Sequence, residues 1–143
     1  MFSSDRDTLR QQYVETWRKF RDGLPLTPLE DMIARVVADH PEYHALLESG
    51  EKGLQREYLP EDGETNPFLH MGMHLAIREQ VSTDRPAGIR AVHQALSQRH
   101  GNAVAAEHRM IDCLAEALWQ AQRDQKPPDE QAYLRSLQEL LHT

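Results

Sequence analysis

Residues 66–81 read NPFLHMGMHLAIREQV, and this stretch decides the fold class. Asn66 carries a side-chain oxygen that can accept from the free N–H groups at a helix start, and Pro67 suits the first helical position, where no N–H is needed. The stretch predicts a helix to Val81. His70 and His74 stand four residues apart, which puts their side chains about 40° apart on one helical face. Ile77 and Val81 continue that arc with Met73 beside it, so the pair is expected to point inward along an apolar strip. Gly72 leaves space between them.

The same punctuation extends in both directions, and no alternating strand pattern bounded by turn residues occurs. Upstream, a first helix is expected from about Ser4 to Gly23, with Leu9, Tyr13, Trp17, Phe20 and Leu24 turned to a core. Thr27 and Pro28 open a second helix whose apolar stripe is Leu29, Met32, Ile33 and Val36. His40 would close that stripe. Pro41 disfavours helical geometry at His40, so the chain is expected to bend there and restart through Glu42, Tyr43, His44, Leu47 and Glu48 as a kinked or broken helix. From Ser49 to Thr65, three glycines and a proline among many charges predict a long surface connection. Downstream, Asp84 and Pro86 start a fourth helix that stops at Gly101, and Asn102 caps a fifth that ends near Asp124. After Pro127-Pro128, Asp129 caps a last helix with Tyr133, Leu134, Leu137, Leu140 and Leu141 on one apolar side. The expected fold is all-α, a helical bundle of about six helices with a long loop between the second and third, formed as a single helical domain over residues 1–143.

At 143 residues the chain is long enough to bury a continuous core without disulfides or a structural metal. The stretch MFSSDRDTLR has no apolar core of a secretory signal, and no apolar run approaches the roughly 20 residues of a spanning helix. Neither secretion nor membrane insertion is expected. One cysteine, Cys113, beside eight histidines suits a reducing compartment, so a cytoplasmic location is expected. A net charge of -7 argues against nucleic acid and against an anionic membrane surface as partners. The arginines are scattered without a run, as on solvated helix faces.

The eight histidines are the unusual feature of the composition. His70 and His74 are close enough to share a metal ion, or are core histidines bonded to backbone or carboxylate groups. On the fifth helix, Met110, Leu114, Ala117 and Ala121 form one apolar face, and His108, Asp112, Ala115 and Trp119 form a second arc nearly opposite. A helix with two such faces is expected to be central. His108 and Asp112 are again four apart, either inward ligands of a bundle core or a hydrogen-bonded surface pair. His44 and Glu48 make a third pair of this spacing, and Glu57, Glu61 and Glu64 in the connection could reach a site. Imidazole mixed with carboxylate suits Zn, Fe, Mn or Ni, and a catalytic zinc would add an open position for water. The Glu-x-x-His pairing of di-iron bundles is missing. Structural roles are expected for His93 and His100, a small apolar role for Cys113, and a solvated helix end for Arg78, Glu79 and Gln80.

NPFLHMGMHLAIREQ, followed by STDRPAGIR and AEHRMIDCLAEALWQAQRD, and HPEYHALLE in the first half, resemble a family of small bacterial proteins, the domain-of-unknown-function family eighteen-forty-one. The resemblance spans most of the chain. It implies one bacterial helical domain and brings no activity or catalytic role with it. The placing of His44, His74 and His108 on separate helices also resembles metal-binding four-helix folds of the hemerythrin and DinB kinds, without reproducing the hemerythrin spacings.

Two functions follow as expectations. The first is a helical bundle holding a divalent transition metal through His74 and His108 with some of His44, His70, Glu48 and Asp112, and activating water for hydrolysis or transfer. The second is a non-enzymatic interaction module with structural histidines, in which an apolar patch, the last helix foremost, binds a protein partner or a second copy as a homodimer. A bundle that senses pH through titrating histidines fits the count alone.

Overall fold

A computed structural model describes residues 2–49 and 66–143. The expected connection from Ser49 to Thr65, with Glu57, Glu61 and Glu64, falls outside the described residues except for Ser49. All regular structure among the described residues is helical: α1 (Phe2–Arg21), α2 (Pro28–Ala38), α3 (His44–Glu48), α4 (Pro67–Thr83), α5 (Ile89–His100), α6 (Ala103–Asp124) and α7 (Glu130–Glu139), with 3-10 turns at Pro41–Tyr43 and Leu140–His142. That makes seven α-helices where about six were expected. The extra one arises at His40-Pro41, where the second helix breaks outright instead of kinking.

The break has a local cause. Thr27 starts α2 with a reciprocal cap, its hydroxyl accepting from Glu30 N–H at 3.1 Å while the Glu30 carboxylate accepts from Thr27 N–H at 2.9 Å. The helix runs to Ala38, and His40 N–H then bonds Val37 O at 3.0 Å instead of continuing the ladder. Pro41 has no N–H to offer, and Tyr43 N–H returns to His40 O at 2.9 Å to make the single 3-10 turn that leads into α3.

The chain divides into two compact units, residues 1–75 and 76–143, the division falling within α4. In the first unit α1 packs on α2 and α3. Its core is Tyr13, Trp17, Ile33, Val36, Val37, Leu47, Phe68 and Met71, with Tyr43 and Leu75 against it. The buried side of α1 is Arg10, Tyr13, Thr16 and Trp17, whereas Leu9, Phe20 and Leu24 of the expected stripe are exposed. The stripe is rotated because the Arg10 guanidinium packs over the Phe68 ring at 4.9 Å, a polar head that an apolar count passes over. Leu29 is likewise exposed, and Ala34 and Val37 take its place on the buried side of α2.

In the second unit α5, α6 and α7 pack pairwise. Ile77, Ile89, Val92, Leu96, Ala106, Met110, Leu114, Tyr133 and Leu137 are its buried apolar side chains. Asn102 and Asp129 cap α6 and α7 as expected, through Ala105 N–H at 2.7 Å and Ala132 N–H at 3.1 Å. Gly101 ends α5 in the left-handed region at φ 81°. Asp84 reaches forward to accept from Gly88 N–H and Arg90 N–H at 3.1 and 3.0 Å, which satisfies the start of α5 from a distance. Glu107 is 2% exposed and joins three helices, accepting from Arg78 at 3.1 Å and meeting His93 Nε2 at 3.0 Å. His93 and Arg78 are thereby structural, and Gln80 accepts from the Tyr133 hydroxyl at 2.7 Å. Burial raises the Tyr133 phenol and the Cys113 thiol above their ordinary pKa values, so Cys113 is held away from the thiolate form. On the apolar side of α7 and the turn after it, Tyr133 and Leu137 are buried, and Leu134, Leu140 and Leu141 are partly buried.

Candidate metal centre

Three histidines meet inside the first unit. His70 and His74 lie one turn apart on α4 as their spacing requires, with His74 Nε2 3.3 Å from His70 Nε2. His40, at the broken end of α2, brings its ring to 4.6 Å from His74 and 5.3 Å from His70 between centroids. Each of the three offers a ring nitrogen within 4.8 Å of the others. His74 is fully buried, His40 is 3% exposed, and His70 is half-buried. Tyr43 closes one flank, stacked on His40 at 5.7 Å and edge-on to His70 at 6.2 Å.

His40 has the most constrained ring. Its Nδ1 lies 2.7 Å from the carbonyl oxygen of Val36, which can only accept, so Nδ1 carries the proton. In the neutral ring the lone pair is then on Nε2. That atom is buried and has no hydrogen-bond partner among the described residues. An unsatisfied buried nitrogen costs about 1–3 kcal/mol. A backbone carbonyl on the far nitrogen is also the usual way in which a metal-ligating imidazole is oriented and its tautomer set.

The spacing suits an ion as well. Two nitrogens each about 2.0–2.1 Å from a tetrahedral ion are about 3.3–3.4 Å apart. The observed His70–His74 separation of 3.3 Å meets that value without movement. His40 has to close by something on the order of an ångström, within reach of a side-chain adjustment.

Two other expected ligands, His44 and Glu48, have different surroundings. His44 Nε2–H donates to Val37 O at 2.8 Å, and its ring lies 4.4 Å from that of Trp17. The Glu48 carboxylate accepts from Trp17 Nε1 at 3.2 Å and pairs with Arg21 at 3.4 Å. This pair therefore brackets Trp17 instead of joining the three histidines. His108 and Asp112 lie on α6 in the second unit, where Asp112, Ala115 and Trp119 of the expected second inward arc are exposed. Gly72 does not open space between the histidines; a Cβ there would meet the Tyr13 hydroxyl at 3.8 Å. His40 joins the group although it was not among the residues expected there. The signal was present, since His40 falls four residues after Val36 and so completes the buried stripe of α2.

No described helix is long and apolar enough to cross a membrane. Among curated proteins and solved structures, none matches the chain. Residues 5–139, which include all three histidines and reach through both units, match the family described as Domain of unknown function, DUF1841. The chain belongs to the DUF1841 family.

Proposed function

We propose that the protein binds a divalent transition metal ion through Nε2 of His40, His70 and His74. The observation that carries this reading is the His40 ring, fixed by Val36 O through Nδ1 with Nε2 buried and unpartnered. Coordination would satisfy that nitrogen and replace the Nε2 to Nε2 hydrogen bond of His70 and His74. Neutral imidazole ligands favour Zn, Ni or Fe over the harder Mn among the ions expected from sequence. Three protein ligands leave a position for water, whose pKa a zinc ion brings to about 7, and this is the chemistry a hydrolase or transferase would use.

The test is calorimetric titration of tag-free protein with Zn and Ni, repeated on His40→Ala, His70→Ala and His74→Ala. One equivalent bound by the wild type and lost in each variant is expected. Stoichiometric binding that survives all three changes overturns the reading. His108→Ala, Asp112→Ala, His44→Ala and Glu48→Ala, titrated alongside, read whether any of the other sequence-derived candidates is a ligand.

A second reading, an interaction surface for a protein partner or a second copy, is favoured by Leu9 and Leu69, which are 60% and 65% exposed beside a groove lined by Tyr13, Phe68 and Met73. It predicts a mass that rises with concentration in sedimentation and returns to that of the monomer in Leu69→Ser. A constant mass with no partner recovered on wild type and lost on Leu69→Ser argues against it.

A further inference from the structure

In a continued helix Val36 O would accept from His40 N–H and Val37 O from residue 41, which is a proline and has no N–H. His40 leaves helical geometry instead, at φ -126° and ψ 67°, and its N–H turns to Val37 O at 3.0 Å. Two imidazoles complete the end of α2. The His40 ring closes Val36 O at 2.7 Å, and His44 Nε2–H donates to Val37 O, the next carbonyl along, at 2.8 Å. Only the 3-10 turn Pro41–Tyr43 lies between these two histidines.

His44 is itself backed from α1. Its ring lies 4.4 Å from that of Trp17, which is 6% exposed, and Trp17 Nε1–H donates to Glu48 on α3 at 3.2 Å. His40 depends on such a hold more than its companions do. His70 and His74 take their 3.3 Å spacing from one unbroken helix, whereas His40 stands on a helix end that Pro41 has cut off from its hydrogen-bond ladder.

We infer that His44 is a positioning residue of the metal centre: its bond to Val37 O fixes the broken end of α2 and so keeps His40 Nε2 turned to His70 and His74. This inference rests on the three-histidine metal reading and adds to it the residue that sets its geometry. His44 acts through His40 and not as a ligand.

Two variants separate the donor from the ring. His44→Phe keeps a ring against Trp17 and removes the donor, and His44→Gln keeps an N–H donor at nearly the reach of Nε2. The affinity of tag-free protein for Co(II) is read from its visible ligand-field bands against a competing chelator, on variants whose circular dichroism shows full helicity. A purely structural bond would lower the stability of metal-free His44→Phe as well, so the affinity decides. It should weaken by about tenfold in His44→Phe, the lower end of the effect of losing an outer partner of a ligating histidine, and return to that of the wild type in His44→Gln. Wild-type affinity in His44→Phe overturns the inference while the metal reading stands, and so does a loss that His44→Gln leaves unrestored. If His44→Phe loses helicity, Glu48→Ala, which loosens Trp17 behind His44, should weaken Co(II) binding in its place, and unchanged affinity there overturns the inference. Absence of the bands in the wild type overturns both readings.

Discussion

Replacing His40 by leucine separates a binding role from a structural one, because the two ring nitrogens make opposite contributions. The Nδ1–H bond to Val36 O, 2.7 Å long, contributes about 0.5–1.5 kcal/mol, and baring that carbonyl costs about 1–3 kcal/mol more. Against this, the unpartnered buried Nε2 already costs about 1–3 kcal/mol, and leucine removes it while filling similar space with apolar atoms. Metal-free His40→Leu should therefore unfold in urea within about 1 kcal/mol of wild type. Metal reverses the comparison. At a free zinc concentration about 100 times Kd the wild type gains about 2.7 kcal/mol, a rise in Tm of about 5–11 °C for a chain of this size. The variant should gain nothing. A full zinc-dependent rise in His40→Leu, or a metal-free loss of more than about 3 kcal/mol, would refute the assignment of Nε2 as a ligand kept at the expense of stability.

Other expectations follow from the second unit. Glu107→Ala leaves Arg78 and His93 without their shared carboxylate; breaking a buried pair costs about 3–5 kcal/mol, and the partial exposure of both partners puts the loss near about 3 kcal/mol by urea unfolding. A loss below about 1 kcal/mol would show that the three-helix junction is not held by this side chain. Asp84 is held below its ordinary pKa of 3.8 by the N–H groups of Arg90 and Gly88. Its contribution is present above the unfolded value and is lost as pH falls through the lower folded one. Asp84→Asn should thus flatten the loss of stability between about pH 5 and 2 while keeping the left-handed backbone that Asn tolerates; an unchanged pH profile sinks this. Gly101→Ala meets no atom within 4 Å, so only the backbone at φ +81° opposes it, and about 1–2 kcal/mol should be lost with no change in metal uptake.

Helix positions were legible because their signals are local. Thr27-Pro28, Asn66-Pro67, Asn102 and Asp129 each supply a side-chain oxygen at a helix start, and the observed starts fall beside them. Facing was less legible, because apolar periodicity ignores a charged head that is partnered. Arg10 over Phe68 displaced Leu9 from the core side of α1, and Glu107 took an interior place between Arg78 and His93 that no apolar stripe predicts. The His70–His74 pair was visible because an i, i+4 spacing on one helix is fixed by geometry alone. Its partner His40 lies 30 residues before His70, on another helix, and that meeting depends on tertiary packing. His44 and Glu48 show the converse: the spacing brought them to one face as expected, and that face met Trp17.

X-ray absorption at the zinc edge of the one-equivalent complex counts the imidazoles around the ion. At least three nitrogen neighbours at about 2.0–2.1 Å with the outer-shell scattering of histidine rings are expected, falling by one ring in His40→Ala. A shell of oxygen neighbours without ring scattering, or a ring count indifferent to His40, would contradict the three-histidine centre.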